Sequence, residues 1–139
     1  MVNKEKLKEK YMEYQLLMEQ LQQLQENVST LEKHTMELVF LTENLDSVSK
    51  TKIGQETLVP LGSGIFLKGS LKENSNVIMS VGSSVCIEKD IAEAKKTVSE
   101  QLGEVNQVLT QMQEEVGKTT FRLQELQNEF QGLKADSLN

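Results

Sequence analysis

Two long stretches of leucine-rich heptads flank a short, glycine-punctuated block of β-type sequence, and this layout limits the chain more than any single residue does. From Tyr14 onward one row reads Leu17, Leu24, Leu31, Leu38, Leu45, and its companion reads Tyr14, Leu21, Val28, Thr35, Thr42. Toward the other end, Leu102, Leu109, Val116, Leu123 and Phe130 form one row, and Val105, Met112, Thr119, Leu126 and Leu133 the second. Alternating steps of three and four, kept up this long, make a coiled-coil seam, because they hold one narrow apolar stripe on a slightly underwound helix. Two such helices leave little chain for an enzyme pocket. The layout suits holding or reaching.

The first helix is expected from about Asn3, its N-cap, to about Lys50, since no Gly or Pro occurs before Gly54. At 1.5 Å per residue it would be roughly 70 Å long. Met36, Val39, Phe40 and Leu41 lie off the seam and suggest that this end touches more than its partner helix. The second helix is expected from Asp90, which has capping-box spacing to Glu93. Gly103, Gly117 and Gly132 each weaken it by about 1 kcal/mol relative to Ala, which the seam must offset. Asp136 to Asn139 should fray. An antiparallel pairing that sets Tyr14 level with Leu126, Leu17 by Leu123, Leu24 by Val116, Leu31 by Leu109 and Leu38 by Leu102 leaves no layer with two polar seam residues. The expected product is a two-helix arm with both chain ends at its far tip.

Between the helices, Thr57–Leu61, Ile65–Lys68, Val77–Val81 and Val85–Ile87 read as short strands, with turns at Gly62-Ser63-Gly64 and Gly82-Ser83-Ser84. Pro60 restricts its strand to an edge or a strand end. Ile65-Phe66-Leu67 and Val77-Ile78-Met79 are apolar on both faces. Two lone hairpins cannot cover both faces and are marginal in water, so the strands need a partner, and other subunits are the obvious source. The fold class is α+β, predominantly α. Helix 1–50, hairpin block 51–89 and helix 90–139 form one structural domain.

A net charge of −6 argues against nucleic acid or an anionic membrane as ligand, since both need a basic face. Lys4, Lys6, Lys8 and Lys10 alternate with Glu5 and Glu9 as a solvated helix face. Cys86 is the only cysteine, which fits a reducing compartment, and it reads as a packed thiol in a sheet. The charged N-terminus lacks the apolar core of a secretory signal, and no run is long enough to span a bilayer, so an intracellular, cytoplasmic protein is expected. The single histidine, His34, has no second ligand for a metal. Gly62-Ser63-Gly64 lacks the Gly-Lys-Ser/Thr ending of a phosphate loop. No cofactor and no catalytic group are expected.

The remaining apolar residues of interest lie at the arm tip: Leu7, Tyr11 and Tyr14 on the first helix, and Phe130, Leu133 and Leu138 on the second. One reading is simple closure of the seam. The other is an adaptable surface for apolar segments of other chains, because a frayed tip cannot bury them all.

Helix, two hairpins, helix is the layout of the α-class subunits of prefoldin, and the chain resembles that family over nearly its whole length. The segments Leu58-Val59-Pro60-Leu61-Gly62-Ser63-Gly64-Ile65-Phe66-Leu67-Lys68-Gly69 and Val77-Ile78-Met79-Ser80-Val81-Gly82-Ser83-Ser84-Val85-Cys86-Ile87-Glu88-Lys89 are similar to its hairpins, most of all in archaeal members. Cys86 departs from the aliphatic or aromatic residue expected there. The resemblance implies a hexamer of two α and four β-class subunits, with the hairpins forming intersubunit β-barrels. It implies an ATP-independent chaperone that captures non-native polypeptides at the coiled-coil tips and passes them to a group II chaperonin. Client contact then maps to Leu7, Tyr11, Tyr14, Phe130 and Leu133. Assembly maps to Leu58, Val59, Ile65, Leu67, Val77, Met79, Val81, Val85 and Ile87. The rival reading is a homo-oligomeric or filament-forming coiled-coil structural protein.

Overall fold

The computed structural model describes residues 4–138, with side chains described from 4 to 133. Six elements follow in order: α1 (Lys4–Lys50), β1 (Glu56–Gly62), β2 (Ile65–Ser70), β3 (Asn76–Gly82), β4 (Val85–Asp90) and α2 (Ile91–Leu138). The expected end of the first helix at Lys50 and the expected cap of the second at Asp90 agree with these bounds. Asn3 and Asn139 lie outside the described residues, as does the side chain of Leu138. α2 continues to Leu138, past the expected onset of fraying at Asp136. By compactness the chain divides into two units. One holds the chain up to His34 and from Val105 onward, the other Thr35–Glu104.

In the first unit the seam residues are those withdrawn from water. Leu17, Leu21, Leu24, Val28 and Leu31 of α1 are half-buried, and Thr119, Leu123 and Leu126 of α2 are buried, Leu126 completely. Withdrawing a Leu side chain from water contributes about 1.5–3 kcal/mol, which offsets the three helix glycines. The pairing is antiparallel and close to the expected register. Tyr14 meets Gln127, Lys10 meets Glu129, and Leu24 shares a shallow groove with Glu115 and Thr119.

In the second unit, Leu38 and Leu45 of α1 and Ile91, Ala94 and Val98 of α2 are the buried residues. An ion pair joins Asp46 to Lys95. Two seam threonines behave differently. Thr42 Oγ1 donates to the Leu38 carbonyl one turn back at 3.0 Å. Thr35 Oγ1 is buried with no hydrogen-bond partner among the described residues. Met36, Val39, Phe40 and Leu41 are exposed, so among the described residues none of them is buried by a further contact.

The strands form two separate two-stranded antiparallel sheets, β1 with β2 and β3 with β4. The hairpins repeat each other. Every pair in the second lies twenty residues beyond its counterpart in the first, from Glu56↔Ser70 against Asn76↔Asp90 to Gly62↔Ile65 against Gly82↔Val85. Both carry the same register shift, at Pro60/Gly62 and Ser80/Gly82, where Leu61 and Val81 are the extra residues of a β-bulge. Both turn on two residues of positive φ, Ser63 and Gly64 in one, Ser83 and Ser84 in the other. That conformation matches strand twist in tight hairpins.

The segment between the hairpins is tied down at both sides. Asn74 Nδ2 donates to the Thr51 carbonyl at 3.0 Å, and Gly54 N–H donates to the Leu71 carbonyl at 3.1 Å. Ile91 N–H donates to the Ser75 carbonyl at 2.8 Å, which fixes the start of α2. Asp90 caps that helix by accepting from Ala92 N–H at 2.7 Å, a plain N-cap bond to the second helical residue. Cys86 corrects an expectation, because its thiol is exposed rather than packed. The apolar run Val85-Cys86-Ile87 gives the strand, but among the described residues no layer covers Cys86.

Candidate functional site

Two surfaces carry the expected site residues. In the first unit, helical spacing places Tyr11 and Tyr14 on one side of α1, where Phe130 of α2 meets both. The Phe130 ring lies 6.0 Å from Tyr11 and 5.8 Å from Tyr14, tilted to the first and edge-on to the second. These are favourable geometries for aromatic quadrupoles. Tyr14 Oη accepts from Gln127 Nε2 at 3.0 Å. Tyr11, Tyr14, Gln127, Phe130 and Gln131 together line an open groove of about 350 Å³. Leu7 is exposed and Leu133 half-buried, so the cluster has Tyr11, Tyr14 and Phe130 at its centre.

Sequence reasoning missed the ionic side of this region. Arg122 Nε donates to Glu13 Oε1 at 2.8 Å and Nη2 to Glu13 Oε2 at 3.1 Å, a two-pronged bond across the helices. Its Nη1 donates to Glu125 Oε2 at 3.1 Å. The hydrogen bond from Arg122 holds the Glu13 carboxyl below its ordinary pKa, against a smaller opposing effect of desolvation. The same bonds push the Arg122 pKa up. Lys10 Nζ pairs with Glu129 at 2.7 Å. The signal was present: with Tyr14 at heptad position a, Lys10 falls at d, so a charge interrupts the seam one step before its aromatic layer. A polar d residue lowers pairing strength, and Lys10 reconciles the position by turning its ammonium outward.

In the second unit the assembly candidates are mostly exposed. Leu58 and Val59 on β1, Ile65 and Leu67 on β2, Val81 on β3, and Val85 and Ile87 on β4 face solvent, whereas Val77 and Met79 on β3 are half-buried. Ile78, at 76% exposure, and Phe66 and Leu61, also exposed, extend the apolar surface beyond the residues expected from sequence. The cross-strand pairs Val59↔Leu67 and Met79↔Ile87 hold equivalent places in the two hairpins. Glu73, in the segment between the hairpins, shares a hydrogen bond with Glu88 of β4, which raises the Glu73 pKa above its ordinary value. Cys86 and His34 are exposed, on β4 and α1. Among the described residues no three His, Cys, Asp or Glu side chains are placed to hold a metal, and no helix is long and apolar enough to cross a membrane.

A family model described as prefoldin subunit matches residues 17–136. The chain belongs to the prefoldin family. Two similar relatives are of the α class. Prefoldin subunit alpha of Pyrococcus horikoshii is 32% identical over 133 residues, covering 90% of each chain. Prefoldin subunit alpha of Methanococcus vannielii is 30% identical over 127 residues, covering 91% of this chain and 85% of that one. In fold, the chain is similar to filamentous PFD from Methanocaldococcus jannaschii, solved by cryo-EM. The TM-score is 0.70 at 20% identity, covering 88% of this chain and 98% of that one. The role of the chain is therefore that of a prefoldin chaperone subunit of the α class, built here from two long helices and two hairpins.

Proposed function

We propose that the hairpins assemble with β-class prefoldin subunits, two α to four β, into intersubunit β-barrels, and that the tip of the helix pair captures non-native polypeptides. The observation that carries this reading is the exposure of nearly every apolar strand residue. Two-stranded sheets with bare apolar faces are marginal in water, and covering them with neighbouring strands is the direct remedy. Leu58, Val59, Ile65, Leu67, Val77, Met79, Val81, Val85 and Ile87 are the assembly residues in this proposal. Leu7, Tyr11, Tyr14, Phe130 and Leu133 are the client contacts. Several weak apolar contacts from separate subunits sum to useful avidity without ATP. The captured chain passes to a group II chaperonin, and the work is done in the cytoplasm.

The test separates the two surfaces. The full-length chain mixed with an archaeal β-class subunit should give a complex of hexameric mass by native mass spectrometry. Ile65→Asp with Val85→Asp should abolish it while leaving helix content unchanged. Removing residues 1–10 and 130–139 should leave the hexamer intact and abolish suppression of client aggregation. Long homopolymers of this chain, formed in preference to the mixed complex, would favour the filament reading instead.

A further inference from the structure

The two flanks of the tip differ in kind. Around a helix paired by its a and d residues, e and b lie to one side of the seam and g and c to the other. On the g and c side sit Glu13, Arg122, Glu125 and Glu129. They are joined across the helices by the two-pronged Arg122–Glu13 bond and by Lys10–Glu129, with Arg122–Glu125 bracing them. On the e and b side sit Tyr11, Gln15, Met18, Gln124, Gln127 and Gln131. That side carries no charge from Tyr11 to Met18 or from Thr120 to Gln131, and the aromatic groove opens onto it.

We infer that Arg122 is a positioning residue that latches one flank of the tip, so that an apolar segment of a non-native polypeptide engages only the neutral flank. This rests on the reading of the tip as the client site. The physical reason is the cost of desolvation. An apolar segment laid on the latched flank would strip water from three carboxylates and two cations whose bonds to each other are already made, and would gain no new partner. On the neutral flank it meets three aromatic rings, a methionine and primary amides. The amides can hydrogen-bond an extended backbone. The latch also resists separation of the helices on its own side, so any opening of the tip turns toward the groove.

Two exposed apolar residues make a matched pair for the test. Leu16, 54% exposed, is a c residue on the latched flank, and Met18, 47% exposed, is an e residue on the neutral flank. A photo-cross-linking amino acid is placed at one or the other in the full-length, assembled protein. Reduced, carboxymethylated lactalbumin, which stays unfolded, serves as the probe. Cross-linking from position 18 should exceed that from position 16 several-fold. Arg122→Gln should narrow the ratio by raising capture at 16, and Arg122→Lys should restore part of it. General loosening of the tip would raise both positions together, so the ratio isolates the latch. Equal cross-linking from both positions, or a ratio unmoved by Arg122→Gln, would overturn the inference while leaving the tip as the client site. No cross-link from either position, in protein that still suppresses aggregation, would remove the tip reading and the latch with it.

Discussion

Thr35→Val should stabilise this protein, although it deletes a hydroxyl from a polar seam position. Thr35 Oγ1 is buried and has no hydrogen-bond partner among the described residues. Leaving such a group unpaired costs about 1–3 kcal/mol. Val keeps the β-branched shape and has nearly the same helix propensity as Thr, so the backbone term cancels. The methyl that replaces the hydroxyl adds apolar burial of about 0.8 kcal/mol when fully withdrawn from water. Half-burial of the residue and relaxation around it reduce both gains. The expected net effect is about 1–2 kcal/mol of added stability. Thr42→Val is the control, because the Thr42 hydroxyl already bonds the Leu38 carbonyl at 3.0 Å and its loss should be near neutral. Urea unfolding followed by circular dichroism reads both, as a shift in midpoint at constant slope. A destabilised Thr35→Val, or a gain no larger than that of Thr42→Val, would refute the reasoning.

Further outcomes are expected. Leu126→Ala, at a fully buried seam position, should cost about 2–4 kcal/mol in the same assay. Phe121→Ala, at 65% exposure, should change stability by less than about 0.5 kcal/mol. Cysteines replacing Leu24 and Val116 should form a disulfide readily under mild oxidation, seen as a shift on non-reducing gels. Failure to form it would count against the antiparallel register. The pH dependence should carry two opposite contributions. Glu73, with its pKa raised by Glu88, binds a proton more tightly folded than unfolded, so its contribution to stability falls as pH rises from its ordinary pKa through the raised one. Glu73→Gln should remove that fall and stabilise the chain at neutral pH. Glu13, with its pKa lowered by Arg122, contributes stability above its ordinary pKa and loses it as pH falls through the lowered value, so Glu13→Gln should flatten the acid limb. Unfolding midpoints at about pH 4 and pH 7 distinguish the two.

The coiled-coil seam was readable from sequence because its period is physical: the residues at Leu17, Leu24 and Leu31 are withdrawn from water for the same reason that they recur. The turns at Gly62 and Gly82 were readable because positive φ selects glycine there. Other features were hidden. The hairpin repeat shares only Gly62/Gly82 and Ser63/Ser83 as identities in its paired strands and turns, beside apolar matches such as Leu58/Ile78 and Leu67/Ile87, so its exact period of twenty residues emerges from the register. The Arg122 latch depends on which g residue of one helix faces which of the other, and a slip of a few residues would have paired different charges. Cys86 was misplaced because a short apolar run after a turn identifies a strand without saying whether anything covers it. The tip aromatics were legible as a group. That Tyr11 and Tyr14 converge on one ring, with Leu7 left in solvent, follows from three-dimensional placement alone.

The duplicated register of the hairpins bears on how such a chain can change length. Excising one twenty-residue period would splice the segment entering β1 onto β3 and preserve both the bulge and the turn of the surviving hairpin. Neither helix would be rephased, since the cut falls between their heptads. A one-hairpin subunit and a two-hairpin subunit thus stand a single in-frame deletion apart, and the same event run backwards doubles the sheet a subunit can lend to its neighbours.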